Sequence, residues 1–379
     1  MQGIYEAIRY PQISASRLQN DLDEFLFDNQ NQEFEELYKQ TSAVLLRWAL
    51  NSTVYSPAKS IITEIDKMKA DNLWKSKAQE EIWEMIHQVF ADKGRGFHEF
   101  TLLAGNVEEP DIRAYQSVRE KSSMRPTLPY PPPQLDVLRS SFAAKTERPT
   151  FLHKSLPKID AGRSAVRMII PTGNYSDPVG NAFGDLINAL CQGQFFAALR
   201  TREQLGYAVG SFKYSIRGGN YQSFVVQTEK LNGTATLGRI QNWIQNWIIQ
   251  GLGEKDEYLE IDGDKDTTTP FAEHFDRIKA GVVTELDSKH PSLGAKTEEQ
   301  ERILLWYRDN PELFDQSLDA LRNMSRDQFR SLIGTYFGAK QDWRAVVLDG
   351  SAGKETGETL SLEGWDVVTE DSLDAEDGA

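Results

Sequence analysis

Hydrophobic positions follow two regimes along the chain. From residue 14 to 91 they recur at helical spacing: Leu18, Leu22, Phe25 and Leu26, then Ile61, Ile62, Ile65 and Met68 after a Ser56-Pro57 start, then Ile82, Met85, Ile86 and Val89 after Ser76. The apolar-rich stretch RGFHEFTLLAGN predicts a strand closed by Gly105-Asn106, with a short helix starting near Pro110. Five prolines within SSMRPTLPYPPPQLD, residues 122 to 136, forbid a regular element and favour extended, semi-rigid chain. This is the predicted interdomain linker.

Beyond the linker the pattern changes. SAVRMIIPTG predicts a strand, and NAFGDLINALCQGQFFAAL a helix with Phe183, Leu186, Ile187 and Leu190 on one face. GSFKYSI and YQSFVVQ flank RGGN as an antiparallel hairpin, and the alternation of Phe212, Tyr214 and Ile216 with Ser211, Lys213 and Ser215 marks one buried face. A helix with Leu237, Ile240, Trp243, Ile244 and Trp247 aligned is expected to end at Gly251. Further helices are expected from Pro270 with Phe271, Phe275, Ile278 and Val282, over about residues 295–308, and from Ser325, whose spacing to Gln328 is that of a capping box ahead of Phe329, Leu332, Ile333 and Phe337. DWRAVVLDG supplies a last strand, and EDSLDAEDGA an acidic, frayed tail. Antiparallel strands with helices gathered on one face make an α+β two-layer sandwich. The expected organisation is a partial, mostly helical domain over 1–121, a linker over 122–139, a complete domain over 140–350 and an acidic tail over 351–379.

Composition narrows the function. A net charge of −15 argues against nucleic acid as partner, because phosphate neutralisation needs a basic face and no Lys/Arg run supplies one. No 18-residue apolar run exists to cross a membrane, and the amino terminus lacks the basic-then-apolar order of a signal peptide, so a cytoplasmic location is the default expectation. Cys191 is the single cysteine and falls on an apolar helix face, which predicts an inert buried thiol and excludes an intrachain disulfide.

Self-contained catalytic motifs fail one by one. His98-Glu99 opens an H-E-x-x-H motif, but Leu102 stands where the second His must be; Glu273-His274 closes an H-x-x-E-H motif, but Pro270 occupies the first ligand position. His87, His153 and His290 have no partner at ligand spacing, so no metal site is expected in this chain. Asp262, Asp264, Asp266 and Glu273 match positions 1, 3, 5 and 12 of a calcium loop. Thr267 replaces the turn glycine and Pro270 sits at position 9, which favours an Asp/Gly-rich surface insertion followed by an ordinary helix start. Nucleophile-elbow and phosphate-loop motifs are missing.

What remains is FFAALRTREQLGYAVGSF, residues 195 to 212, a helix-to-strand hinge crowded with polar chemistry. Its LRTREQLGY resembles the signature of the carboxy-terminal half of pitrilysin and insulin-degrading-enzyme type zinc metallopeptidases. LLAGNVEEPDIRAY resembles the strand-to-helix close of the preceding domain in that family, and QSFVVQTEK the strand after the hairpin, so the resemblance runs from about residue 14 to 350.

The resemblance implies a half-enzyme: the later part of a third domain and a whole fourth domain, with zinc, its H-x-x-E-H helix and the glutamate base in an amino-terminal half. The chain is thus expected to be a fragment, a truncated gene model or one piece of a split enzyme. Its partners would be that zinc-bearing half and a peptide substrate, and alone it would hydrolyse nothing. Tyr207 would donate to the developing oxyanion as zinc-bound water attacks the peptide carbonyl, and Arg200 would hold a substrate carbonyl with its planar donors. Gly206 is available to terminate the helix between them. Arg202, Glu203 and Gln204 stay unassigned, with Glu203 open to a bracing role. The competing expectation is a non-catalytic homologue acting as scaffold or assembly partner; a calcium-responsive module is a third.

Overall fold

The computed structural model describes residues 36–49, 108–121, 147–155, 162–216, 219–262, 265–288, 292, 294, 297, 310, 312–350 and 362–369. The helices expected over 14–35 and 50–91, the strand before Pro110, the proline-rich segment, His87, His98, His290 and most of the helix expected near 295–308 lie outside the described residues. The chain divides into two compact units, one of Met1–Glu33, Ser56–Gln134 and Ser292–Glu301, the other of Phe34–Tyr55, Leu135–Pro291 and Arg302–Ala379. In the first unit the described element is a helix, Glu109–Lys121, with Glu109 and Asp111 in its first turn where the helix dipole favours them. It starts where Pro110 predicts.

The second unit is built on a six-stranded sheet. Its strands are β1 (Thr150–Ser155), β2 (Ser164–Asn174), β3 (Ala208–Ile216), β4 (Gly219–Thr228), β7 (Arg344–Asp349) and β8 (Asp366–Thr369), in the order β3-β4-β2-β7-β1-β8. β2 pairs antiparallel with β4 and β7, and β3 antiparallel with β4; β1 runs parallel to β7 and β8. β2 is central and buried on both faces, which is why SAVRMII reads as a nearly unbroken apolar run. A separate two-stranded hairpin joins β5 (Glu257–Asp262) to β6 (Lys265–Pro270).

Val166, Met168 and Ile170 of β2 face a helical layer and share one core with Phe183, Ile187, Ile240, Trp247, Phe275, Leu321 and Phe329. That layer comprises α3 (Pro178–Phe196), α4 (Gly233–Trp243), α5 (Phe271–Ser288), α6 (Leu313–Asn323) and α7 (Arg326–Tyr336), where α1 is Leu37–Ala49 and α2 the helix Glu109–Lys121. The expected α+β sandwich is the fold found. α1 adds cover on the opposite face, where Leu45 and Trp48 pack with Leu152, Ile169, Tyr221, Val346 and Leu348. Thus Phe34–Tyr55 groups with the second unit, not with the expected amino-terminal domain.

Between α1 and the sheet lies Arg167, 4% exposed. Its guanidinium donates to Thr41 Oγ1 (3.0 Å), Ser223 Oγ (3.1 Å) and the Tyr38 carbonyl (3.4 Å) and sits 5.0 Å from the centroid of Phe212. Burial lowers its pKa to about 10, which leaves it charged at neutral pH. The start of β2 is tied by Asp349, which accepts from His153 Nε2 (2.9 Å), Ser164 Oγ (2.5 Å) and the Gly233 amide (2.9 Å). One carboxylate therefore joins β1, β2, β7 and the start of α4.

Two expectations are corrected. The helix through Trp243 does not end at Gly251: wider turns carry it from Ile244 to Lys255, and it stops at Asp256 in the left-handed region (φ 59°). Aspartate tolerates that conformation, and Arg326 approaches its carboxylate at 3.4 Å. The Asp-rich insertion carries the β5–β6 hairpin, with Asp262 opposite Lys265, and α5 starts directly after Pro270 as expected. The domain does not end at residue 350, since β8 pairs with β1 and Trp365 is buried against Phe151 and Trp343, while EDSLDAEDGA, residues 370–379, lies outside the described residues. Ser325 caps α7 as predicted, accepting from the Gln328 amide at 3.1 Å.

Candidate functional site

The hinge begins with a well-defined helix. Asp177 caps α3 by accepting from the Val179 amide (3.0 Å), Pro178 fits its first turn, and Phe183, Leu186, Ile187, Leu190, Cys191 and Phe195 are buried on one side. Cys191 is fully buried, and desolvation pushes its thiol well up, as an inert cysteine requires. Past Phe196 the helix widens over Ala197–Arg202. The Glu203 amide reaches back five residues to the Ala198 carbonyl and the Leu205 amide six residues to Leu199, both at 3.0 Å. Such wide turns re-aim side chains that a regular helix would have placed elsewhere.

The turn itself is made differently from the expectation. Gln204, not Gly206, takes the left-handed conformation, with φ 50°. Gly206 is required for another reason: a side-chain carbon there would collide with the backbone carbonyl of Gln227 on β4. The turn is pressed onto the sheet, and Thr228 Oγ1 donates to the Leu205 carbonyl. From Ala208 the chain enters β3 opposite Gln227.

Polar residues of the hinge separate into two kinds. Arg202 donates two hydrogen bonds to Asp266 on β6, at 2.9 and 2.5 Å. Glu203 receives a two-pronged pair from Arg239 on α4, its Nε donating at 2.7 Å, while Lys230 Nζ donates to the Glu203 carbonyl at 3.4 Å. Arg200 and Tyr207, in contrast, have no hydrogen-bond or ion-pair partner among the described residues. Tyr207 is 79% exposed, the most open large hydrophobic side chain among them.

Arg200 lines an open groove of about 560 Å³ with Phe196, Thr201, Gln204 and Lys230. Tyr207 is not one of its lining residues, so the structure puts the two predicted site residues on one turn but only Arg200 in the groove. Phe196, Thr201 and Lys230 are groove residues that the sequence reading did not name. Phe196 could have been found, since it is a large apolar residue off the buried stripe of its helix and is 46% exposed. The groove offers cations, an amide, a hydroxyl and a ring.

No group of three or more His, Cys, Asp or Glu side chains able to hold a metal is found among the described residues. His153 is engaged with Asp349; His274 bonds Thr269 (2.7 Å) and Arg277 (2.8 Å) and stacks on Tyr258. The described residues do not fit zinc.

Residues 186–259, which contain the whole hinge and Arg239, match the profile of PQQ synthase PqqF-like, C-terminal lobe domain 4. A nardilysin-like protein of Arabidopsis thaliana is 30% identical over 161 residues, 40% of this chain and 13% of that protein. Pitrilysin superimposes over the full chain with a TM-score of 0.69 at 16% identity, and the peptidase M16 inactive domain from Pseudomonas fluorescens over 93% of it with a TM-score of 0.55 at 13% identity. Over residues 186–259 in sequence, and in fold, the chain is similar to the carboxy-terminal lobe of pitrilysin-type peptidases. It spans 36% of the pitrilysin chain and 75% of the Pseudomonas domain, so it accounts for only part of such a protein. Within the pitrilysin-type frame, the hinge falls inside the matched segment, whereas Asp266 lies beyond it.

Proposed function

We propose that this chain is the substrate-binding, catalysis-assisting half of a zinc metalloendopeptidase, working with a zinc-bearing amino-terminal half. The observation that carries this reading is the division of the hinge. Arg202 and Glu203 are spent on internal pairs, while Arg200 and Tyr207 keep their donors free on the same turn, Tyr207 at 79% exposure. Among the described residues neither side chain makes a hydrogen bond or ion pair through which it would stabilise the fold. The nearness to a Pseudomonas domain described as inactive supports a half that does not cut peptides by itself.

In this reading Arg200 grips a peptide carbonyl with fixed, always charged donors, and Tyr207 donates to the carbonyl oxygen as negative charge gathers on it. Zinc chemistry belongs to the other half. The test is reconstitution with that half and a quenched peptide: Tyr207→Phe is expected to lower kcat by about 10²–10³-fold, the usual cost of one oxyanion donor, with association intact. Unchanged turnover with association retained would instead assign the chain a scaffolding role. Chelator-sensitive cleavage by the isolated chain would overturn the proposed division of labour.

A further inference from the structure

The two ion pairs bind the turn to different elements. Arg202 is held by Asp266 of the β5–β6 hairpin, and Glu203 by Arg239 of α4. The hairpin is itself fastened to α3 just before the hinge: Gln194 Oε1 accepts from the Ile261 amide at 2.7 Å, and Gln194 Nε2 donates to the Tyr258 hydroxyl at 3.2 Å. Trp247 Nε1 adds a bond to the Leu259 carbonyl at 2.9 Å. Two consecutive side chains of opposite charge are thus pulled to two separately anchored supports.

We propose that Asp266 and Arg239 are positioning residues, clamping the hinge so that Arg200 and Tyr207 are presented in one fixed arrangement; the purpose of the clamp rests on the function proposed above. Both supports use paired donors against a carboxylate, a geometry that fixes orientation as well as distance. The turn's other ties hold its backbone, through the Thr228 and Lys230 bonds to its carbonyls and the contact of Gly206 with β4, whereas these pairs hold its side chains, in a segment that departs from helical bonding and where Gln204 keeps a left-handed conformation that glycine would take more easily. The free donors of Arg200 and Tyr207 can be aimed only if the chain between them does not move.

Hydrogen exchange on the full 379-residue chain tests the clamp directly, because the Glu203 and Leu205 amides close the wide turns and report its opening. Asp266→Ala and Arg239→Ala are each expected to speed exchange in the peptide covering the turn at least tenfold, with β2, β4 and β7 unaffected. The charge-swapped pair Arg202→Asp with Asp266→Arg is expected to restore protection. Unchanged exchange in both single variants overturns the clamp. So does general loss of protection that the swapped pair fails to reverse, since that is a structural defect alone. Because the readout needs neither substrate nor a second half, it separates the two ideas: a loosened turn in Asp266→Ala beside unaltered turnover in Tyr207→Phe sinks the site and keeps the clamp.

Discussion

At the scale of single residues, Gly206 shows how a position can be named correctly and explained wrongly. The sequence makes glycine next to a helix end look like a terminator, yet the left-handed residue is Gln204 and the glycine serves contact with β4. The two explanations differ in what they predict. A terminator could be exchanged for asparagine, whereas any side chain at 206 meets the Gln227 carbonyl. Gly206→Ala is therefore expected to destabilise the domain by about 1–3 kcal/mol, as overpacking does, read as a lower urea midpoint at unchanged slope. Gly206→Asn would be worse rather than tolerated. Arg200 and Tyr207 could be singled out from their motif alone, but their lack of internal partners could not, because Arg202 and Glu203 look equally free in one dimension.

At the scale of elements, periodicity was informative wherever one face met one core. α3, α5 and α7 carry apolar residues at the spacing a single buried stripe demands, and Ser325 announces its helix start. The predicted elements omit β1, β5, β6, β8 and α6. The four strands are only four to six residues long, and β6, KDTTTP, has no apolar alternation to betray it, whereas α6 is as long as α7 and its buried Leu318 and Leu321 do stand at helical spacing. β8 has four residues in an acidic stretch, and what makes it a strand is a distant anchor. Trp365 is 5% exposed, packs its ring against Phe151 at 6.1 Å between centroids, and donates to Gln241 Oε1 at 2.8 Å. Trp365→Ala is expected to cost about 3–5 kcal/mol from the cavity it leaves and to release β8 first. The check is hydrogen exchange, with the β8 amides losing protection at denaturant concentrations where β2 and β4 keep theirs.

For the molecule as a whole, stability is tied to pH through Asp349, where four elements meet. Burial raises the pKa of its carboxyl, but hydrogen bonds from His153, Ser164 and the Gly233 amide outweigh this and hold it below the ordinary aspartate value. A depressed folded-state pKa stabilises the fold above the unfolded-state value, near 3.8, and the contribution disappears as pH falls through the lower, folded-state value. Asp349→Asn is expected to cost about 1–3 kcal/mol at neutral pH by leaving donors poorly matched. Denaturation curves of variant and parent should converge as acid protonates Asp349 in the parent; a gap of constant size down to pH 2 would show that the carboxylate charge is not what matters.

The α+β class, the main helices, the central strands and the hinge with Arg200 and Tyr207 were determined by the sequence itself, since each rests on local periodicity, a cap or a contiguous motif. The tertiary structure alone decided the rest: α1 on the far face of the sheet, β8 at its edge, the Asp266 and Arg239 supports, and the groove beside Arg200. Those features join residues tens to hundreds of positions apart, such as Arg167 with Thr41 or Arg202 with Asp266. No local pattern encodes such a pairing, because its partners are chosen by the packing of whole elements and not by the spacing of neighbours along the chain.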